Sequence, residues 1–147
     1  MDDRVERYLA THHSAAMVTI RPDGSPHAVR CGVGLVDGKL WSSGRPDRVR
    51  SGHLRRDPRA TLFVFAAEAA GGFGYLSLDT TVTILDGPDA PELNRQLFTV
   101  MQAGMNRPPG TLFWEGTPRT ADEFLQIMIA ERRLIYEFQI TRTYGMF

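Results

Sequence analysis

Two Asp-Gly turns in the first third of the sequence constrain the fold more than any other feature. The first lies in Pro22-Asp23-Gly24 and the second is Asp37-Gly38. Proline presets one backbone dihedral and glycine supplies a positive φ, so these stretches favour tight turns between antiparallel strands. The segments around the turns predict strands over 16–20, 27–36 and 39–43. The sequence therefore predicts a three-stranded antiparallel meander near its N-terminus.

The rest of the chain predicts three more strands and four short helices. Strands are predicted over 61–66, 75–85 and 134–141, and helices over 2–12, 46–56, 91–105 and 121–132. Thr120 and Glu123 have the spacing of a capping box before the last helix. Residues 106–119 predict an irregular loop, and Gly71-Gly72 predicts a break in the chain. This β-rich order, with short helices at the corners, favours a barrel over alternating βαβ units.

Length and composition indicate one globular domain over residues 1–147. Hydrophobic residues make up 42% of the sequence and charged residues 23%, which is typical of a chain that buries a core. Seventeen basic residues balance seventeen acidic ones, which argues against a nucleic-acid partner. Cys31 is the only cysteine, which excludes an intrachain disulfide and a cysteine metal cluster. The N-terminus has no apolar signal core and no segment has the length of a membrane span, so we expect a cytoplasmic location and no membrane partner.

A strongly basic segment from Arg45 to Arg59 is the most informative candidate for ligand binding. It contains six arginines and two aspartates, a local charge of about +4. It follows Trp41-Ser42-Ser43-Gly44 at the end of a predicted strand and opens a predicted helix. Backbone N–H groups at a helix start, together with arginine side chains, favour the binding of a phosphate. The alternative is a solvated basic surface helix without a ligand.

The predicted strand over 27–36 has one apolar face and one face of small residues. The apolar face, which we expect in the core, contains Val29, Cys31, Val33 and Leu35. The other face contains Ala28, Arg30, Gly32 and Gly34. Glycine inside a strand often marks a close approach by a ligand or by another part of the protein. A flat ring could lie along this face beside Arg30, or a helix or a second subunit could pack there.

The remaining chemistry-bearing side chains give weaker signals. The histidines, which are His12, His13, His27 and His53, lack metal-ligand spacing, so we expect no metal site. No serine lies in a nucleophile motif, and the sequence identifies no catalytic acid or base. The aromatic residues Trp41, Tyr75, Phe113 and Trp114 could stack on a ring or line a substrate pocket, or could belong to the core or a subunit interface.

Three stretches of the sequence carry a resemblance to a known family. The stretch AMVTIRPDGSPH at 16–27 is similar to that family's first hairpin, and RVRSGHLRRDPR at 48–59 is similar to its helix motif. The stretch ITRTYGM at 140–146 is similar to the closing motif of one branch. The family is the pyridoxamine 5′-phosphate oxidase-like superfamily, and the branch is the small actinobacterial F420-binding oxidoreductases. The resemblance covers most of the chain and is weakest over 86–120.

The resemblance implies a mainly β (α+β) fold, a six-stranded antiparallel split β-barrel of the FMN-binding type with short flanking helices. It also implies a homodimer with two cofactor sites at the subunit interface. By position, the cofactor-binding residues would be Arg48 and Arg50 at the phosphate, helped by Ser42, Ser43 and Gly44, and Pro26, His27, Arg30 and Trp41 near the ring and its linker. Two residues depart from the family pattern, because Arg50 replaces the usual lysine and His53 replaces a common asparagine.

The function that the resemblance implies is that of an F420-dependent oxidoreductase. Reduced F420 would transfer a hydride to a small unsaturated or conjugated organic substrate held against its ring. F420 has a long anionic tail that FMN lacks, so the arginines beyond the phosphate pair favour F420; these are Arg45, Arg55, Arg56 and Arg59. The alternatives are an FMN-binding enzyme of the same fold and a non-catalytic F420-binding or carrier protein.

Overall fold

Over residues 1–66 and 72–147, which the computed structural model describes, the chain forms a curled antiparallel sheet, four helices and a separate hairpin. The helices are α1 (Asp3–Thr11), α2 (Val49–Arg56), α3 (Ala90–Met101) and α4 (Ala121–Ala130). The strands are β1 (Ser14–Ile20), β2 (Pro26–Gly32), β3 (Gly34–Val36), β4 (Lys39–Gly44), β5 (Arg59–Phe65), β6 (Tyr75–Leu85), β7 (Thr111–Trp114), β8 (Thr117–Thr120) and β9 (Leu134–Met146). The predicted break at Gly71-Gly72 lies partly outside the described residues.

The main sheet contains seven antiparallel strands in the order β2-β1-β5-β6-β9-β4-β3. Its two edge strands, β2 and β3, are consecutive in sequence. The Ser42 hydroxyl of β4 donates a hydrogen bond to the Gly32 carbonyl of β2 at 2.6 Å, across the gap between the edges. The sheet therefore curls until its edges approach each other, which confirms the mainly β, split-barrel fold that the resemblance implied.

The inner face of the curled sheet holds the main hydrophobic core. Alternate side chains of β5 and β6 point inward, and Leu62, Val64, Leu76 and Leu78 have no exposed surface. Helix α1 adds Leu9 to the same cluster. This core holds together the strands that flank the candidate site.

The sheet has seven strands and not six because the predicted strand over 27–36 is divided at Val33. The Val33 N–H donates to the His13 carbonyl at 2.9 Å and so leaves the sheet ladder. A Cβ built on Gly32 would lie 2.9 Å from the Met101 sulfur, and one on Gly34 would lie 3.1 Å from Leu97. The lack of side chains at Gly32 and Gly34 therefore allows helix α3 to pack closely on this part of the strand. Of the two interpretations of this face, the structure supports close packing of a helix at these two positions.

The prediction of an irregular loop over 106–119 is wrong, because β7 and β8 form a hairpin there. Glu115 and Gly116 both have positive φ, at 52° and 76°, which is typical of a type I′ turn. The three prolines in the segment, Pro108, Pro109 and Pro118, weakened the strand pattern. The hairpin packs on α3 and α4, where Leu112, Phe124 and Met128 form a separate buried cluster.

Several predicted boundaries shift. Helix α2 begins at Val49 and not at Pro46, because residues 46–48 form a turn in which the Arg48 N–H donates to the Arg45 carbonyl. Helix α3 ends at Met101, and β9 extends to Met146 because it pairs with β6 as far as Tyr75. The capping box of α4 is confirmed, since the Thr120 and Glu123 side chains each accept from the other residue's backbone N–H.

Candidate functional site

The turn between β4 and α2 is fixed to the first turn of the helix. The Ser51 hydroxyl donates to the Arg45 carbonyl at 2.7 Å, and the Ser51 N–H donates to the Arg48 carbonyl at 3.0 Å. No side chain caps the start of α2, where Arg48 occupies the N-cap position. Uncapped N–H groups at a helix start attract an anion, so this turn is electrostatically suited to a phosphate.

Tyr136 of β9 holds this turn against the barrel. Its hydroxyl lies 2.5 Å from the Ser51 hydroxyl, and the whole residue is buried. Gly44 makes the contact possible, because a Cβ at that position would lie 2.3 Å from the Tyr136 hydroxyl oxygen. Gly44 is thus required for packing, whether or not its backbone also faces a ligand.

Four of the six arginines in the basic segment have partners within the chain. Arg45 lies 3.0 Å from the Asp47 carboxylate, and Arg55 lies 3.1 Å from Asp86. Arg56 donates to the carbonyl of Ile20. Arg59 lies 2.8 Å from Asp57, and its hydrogen bonds lower the pKa of the Asp57 carboxyl to about 2.

Arg48 and Arg50 differ from these four. Neither side chain has an ion pair or a hydrogen bond within the described residues, and the Arg48 side chain is exposed. Arg50 is half-buried, with its guanidinium carbon 5.6 Å from the centre of the Tyr136 ring, and its buried Nε has no hydrogen-bond partner in the described structure. The two arginines that the resemblance assigns to a phosphate are therefore the two in this segment whose side chains donate no hydrogen bond within the described residues.

Ser42 and Ser43 point to opposite sides of β4. The Ser42 hydroxyl donates to the Gly32 carbonyl, and the Ser43 hydroxyl donates to the Asn94 side-chain oxygen at 2.5 Å. Each hydroxyl already uses its proton within the chain, so toward a phosphate each could act only as an acceptor. The structure therefore does not bring the two serine side chains together as a cradle.

Trp41 lies in the protein interior. It packs with Val36, Leu97 and Ile135 beneath α3, is 5% exposed, and donates from Nε1 to the Glu137 carboxylate at 2.8 Å. A cofactor ring could not reach its face without displacing α3.

The three predicted residues of β2 are divided between the two faces of the strand. Pro26 and Arg30 are exposed and share one face, and Pro26 also lines a cleft of about 470 Å³ together with Arg59 and Thr80. His27 faces the other way and contacts the His53 ring, with the ring centres 5.1 Å apart. Its buried Nδ1 has no hydrogen-bond partner in the described structure.

His53 connects α2 to β1. Its Nδ1 lies 2.9 Å from the hydroxyl oxygen of Thr19, and Thr19 has no exposed surface. Burial lowers the pKa of His53, and the neighbouring His27 ring, Arg56 and Arg21 lower it further. His53, which replaces the asparagine common in the family, thus joins the helix that carries Arg50 to β1 through its contact with Thr19.

The outer face of the sheet, meaning the side chains of β2, β1, β5, β6 and β9 that point away from the core, contains exposed aromatic residues. One row across these strands is Arg30, Ala16, Phe63, Ser77 and Tyr144. Phe63 is 38% exposed and Tyr144 43% exposed, and the Phe63 ring stacks 5.0 Å from the Tyr75 ring. Phe63 was not among the predicted site residues, although strand alternation over 61–66 could have separated it from Leu62 and Val64.

The described residues lack two other functional features. Among the residues that the structure describes, no three histidine, cysteine, aspartate or glutamate side chains cluster as metal ligands would. No helix in residues 1–66 or 72–147 has both the length and the apolar character needed to cross a membrane.

Solved structures similar to this chain share its fold. A conserved hypothetical protein from Mycobacterium tuberculosis matches 99% of this chain and 84% of its own length, with a TM-score of 0.73 and 19% identity. A protein named F420 reductase matches 95% of this chain and 94% of its own, with a TM-score of 0.62 and 16% identity. A candidate pyridoxamine 5′-phosphate oxidase from Listeria innocua matches 97% of this chain and 95% of its own, with a TM-score of 0.64 and 9% identity. Such low identities establish the fold alone.

The sequence itself matches a protein-family model described as pyridoxamine 5′-phosphate oxidase over residues 1–125 of its 147. The matched range includes β1 to β8 and half of α4, and so contains all nine predicted cofactor-binding residues. The chain belongs to the pyridoxamine 5′-phosphate oxidase family.

Proposed function

We propose that this protein is an F420-dependent oxidoreductase that reduces a small unsaturated or conjugated organic substrate. The observation that carries the proposal is the pair of arginines, Arg48 and Arg50, whose side chains have no ion pair or hydrogen bond within the described residues and lie at the uncapped start of α2. Family membership supports redox chemistry, and the similarity to an F420 reductase supports this cofactor.

The residues present fit a phosphate-bearing cofactor. The buried Nε of Arg50 without a partner and the exposed guanidinium of Arg48 would meet the phosphate, and Arg50 can offer two parallel N–H groups where a lysine offers a point charge. A bound deazaflavin or flavin would supply the hydride chemistry. The chain would hold the cofactor, orient it and exclude water from it.

The arginines outside the phosphate pair give less support for F420 over FMN than the sequence alone indicated. Arg45, Arg55, Arg56 and Arg59 already contact acceptors within the chain, so they are weaker candidates for an anionic tail than their charge alone indicates. The preference depends on the closing stretch at 140–146 and on the similarity to the F420 reductase. FMN remains the second candidate.

We also propose that the protein is a homodimer with its outer face as the interface. Phe63, Phe65 and Tyr75 form one aromatic group on that face, with ring centres 5.0 to 5.6 Å apart. Exposed aromatic patches of this kind are typical of subunit interfaces. Arg30 lies in the same row as Phe63, so a cofactor beside Arg30 would lie at the edge of this interface.

The first experiment compares the binding of F420 and FMN to the purified protein by calorimetry. Arg50→Ala should weaken binding at least about tenfold, because one charge-assisted hydrogen bond contributes about 1.5–3 kcal/mol. Arg55→Ala is the matched control, since Arg55 is paired with Asp86 and should change affinity little. Tighter binding of FMN than of F420 would reject the cofactor assignment, and equal effects of the two substitutions would reject the phosphate position.

A second experiment separates an enzyme from a carrier. The protein with reduced F420 is assayed against a panel of enones and quinones by the return of deazaflavin absorbance. Oxidation of F420 by at least one of these substrates supports the reductase. Tight binding without any turnover favours the non-catalytic F420-binding alternative.

A further inference from the structure

Helix α2 is tied to the barrel by polar contacts at two points. In its first turn, Ser51 contacts Tyr136 of β9, and in its second turn, His53 contacts Thr19 of β1. Arg50 lies immediately before Ser51 in this helix. The direction in which the Arg50 side chain points therefore depends on both contacts.

Thr19 needs His53 as a partner. Its side chain points to the inner side of β1, as do Ala15 and Met17, and all three residues have no exposed surface. A buried hydroxyl without a hydrogen bond is costly. The His53 Nδ1 provides that bond, so the contact fixes the second turn of α2 over β1.

The charged and titratable groups that lower the pKa of His53 are all basic. Arg56 lies on the same helix, Arg21 lies just after β1, and His27 contacts His53 from β2 with its ring edge-on. The nearest acid along the helix, Asp57, is paired with Arg59. An imidazolium at this position would be partly desolvated and surrounded by other positive groups.

We propose that His53 is a positioning residue for Arg50: as a neutral imidazole bound to Thr19 it holds α2 in place, and its protonation loosens the helix and weakens the binding of the cofactor phosphate. The proposal rests on the proposed function, because Arg50 is there the phosphate ligand. Asparagine, which the family pattern commonly has at this position, could bind Thr19 without titrating. The histidine would therefore make cofactor affinity pH-dependent in this chain.

The sign of the pH effect follows from the lowered pKa of His53. The unfolded or loosened chain has a histidine with an ordinary pKa of about 6.5, so it takes up a proton more readily than the ordered helix does. The ordered position of α2 is thus fully stabilised above about pH 6.5 and loses stability as the pH falls below that value, because protonation places a charge in partly desolvated, basic surroundings. Affinity should be highest at neutral and alkaline pH.

The test measures the dissociation constant of F420, and of FMN in parallel, from about pH 5.5 to about pH 8. The wild-type affinity should fall about fivefold toward the acid end, the factor that the loss of one ordinary net hydrogen bond gives. His53→Asn should keep the affinity at neutral pH and lose this pH dependence. Thr19→Val should weaken binding even at neutral pH, because it removes the contact without changing the histidine.

His12→Asn is the matched control, because His12 stacks on Tyr8 of α1 and has no contact with α2 among those described. It should show the wild-type pH profile. Any change in the protonation of the cofactor itself affects all variants equally, so it cancels when their dissociation constants are compared at the same pH. Identical pH profiles for wild type and His53→Asn would overturn the proposal.

A cofactor-free readout distinguishes failure of this proposal from failure of the proposed function. The His53 ring protons are followed by NMR against pH, together with amide hydrogen exchange in α2. A midpoint below the ordinary histidine value, with faster α2 exchange on the acid side, supports the proposal; a midpoint at or above it overturns the proposal. If neither cofactor binds at any pH, the proposed function fails, and this readout still decides whether neutral His53 holds the helix.

Discussion

The inner and outer faces of strands β1, β5 and β6 use neighbouring residues for opposite purposes. On the inner face, Leu62 and Val64 have no exposed surface and belong to the main core. On the outer face, Phe63 lies between them in sequence and is 38% exposed. In an antiparallel sheet with one face in water, the residues on that face are usually polar, so an exposed phenylalanine there does not serve the stability of the single chain.

This difference between the two faces indicates that the outer face has a role besides stabilising the fold. Single exposed apolar residues are common on protein surfaces, but Phe63 contacts the rings of Phe65 on its own strand and Tyr75 on β6, and Tyr144 of β9 lies in the same row. The inner face stabilises the fold, and we infer that the outer face stabilises the contact between two copies. Substitutions on the two faces should therefore affect different measurements.

The largest effect is expected on the inner face. Leu62→Ala should lower the free energy of unfolding by about 2–5 kcal/mol, because it removes buried methyl groups and leaves a cavity. Urea denaturation followed by circular dichroism measures this change. A loss below about 1 kcal/mol would mean that the core readily collapses around the smaller side chain.

A substitution on the outer face should act on assembly. Phe63→Asp should raise the dimer dissociation constant at least about tenfold, since a desolvated charge would replace a buried ring. The unfolding free energy of the dissociated chain should change by less than about 1 kcal/mol, because surface substitutions have small effects. Analytical ultracentrifugation measures the dissociation, and a wild-type protein that is monomeric at micromolar concentration would contradict the interface.

The smallest effect is expected at the polar part of the outer face. The Thr61 hydroxyl donates to the Asp79 carboxylate at 3.1 Å, in a half-buried position. Thr61→Val keeps the shape and the strand propensity, so stability should change by about 1 kcal/mol or less. Thermal denaturation compares the stability of Thr61→Val with that of Leu62→Ala. A loss of stability clearly above about 1 kcal/mol in Thr61→Val would show that polar pairs also stabilise the outer face.

Much of the fold could be predicted because local chemistry determines it. The two Asp-Gly turns and the capping box at Thr120 and Glu123 form as the sequence predicts. The division at Val33 could not be predicted, because it depends on the distant carbonyl of His13 and on the packing of α3 against Gly32 and Gly34. Non-local packing of this kind leaves no periodic signal in the segment that it changes.

The candidate site was predictable to a similar extent. The sequence identified the basic segment, but it could not show which of its arginines are paired, since the partner of Arg55 is the distant Asp86. It also placed Ser42 and Ser43 together, whereas strand alternation directs their hydroxyls to opposite sides. Residue type predicted that the segment could bind an anion, and only the three-dimensional arrangement showed which of its arginines already have a partner within the chain.

The position of β9 has a consequence for how the protein folds. Without β9, the sheet would consist of two pieces, β2-β1-β5-β6 and β4-β3, each built from strands close in sequence. Joining them requires Leu40 to meet Phe138, which closes a loop of about a hundred residues, and such long closures slow folding. Until that step, β4 and β6 would each present an unpaired edge, so aggregation should compete most strongly while this one strand is missing.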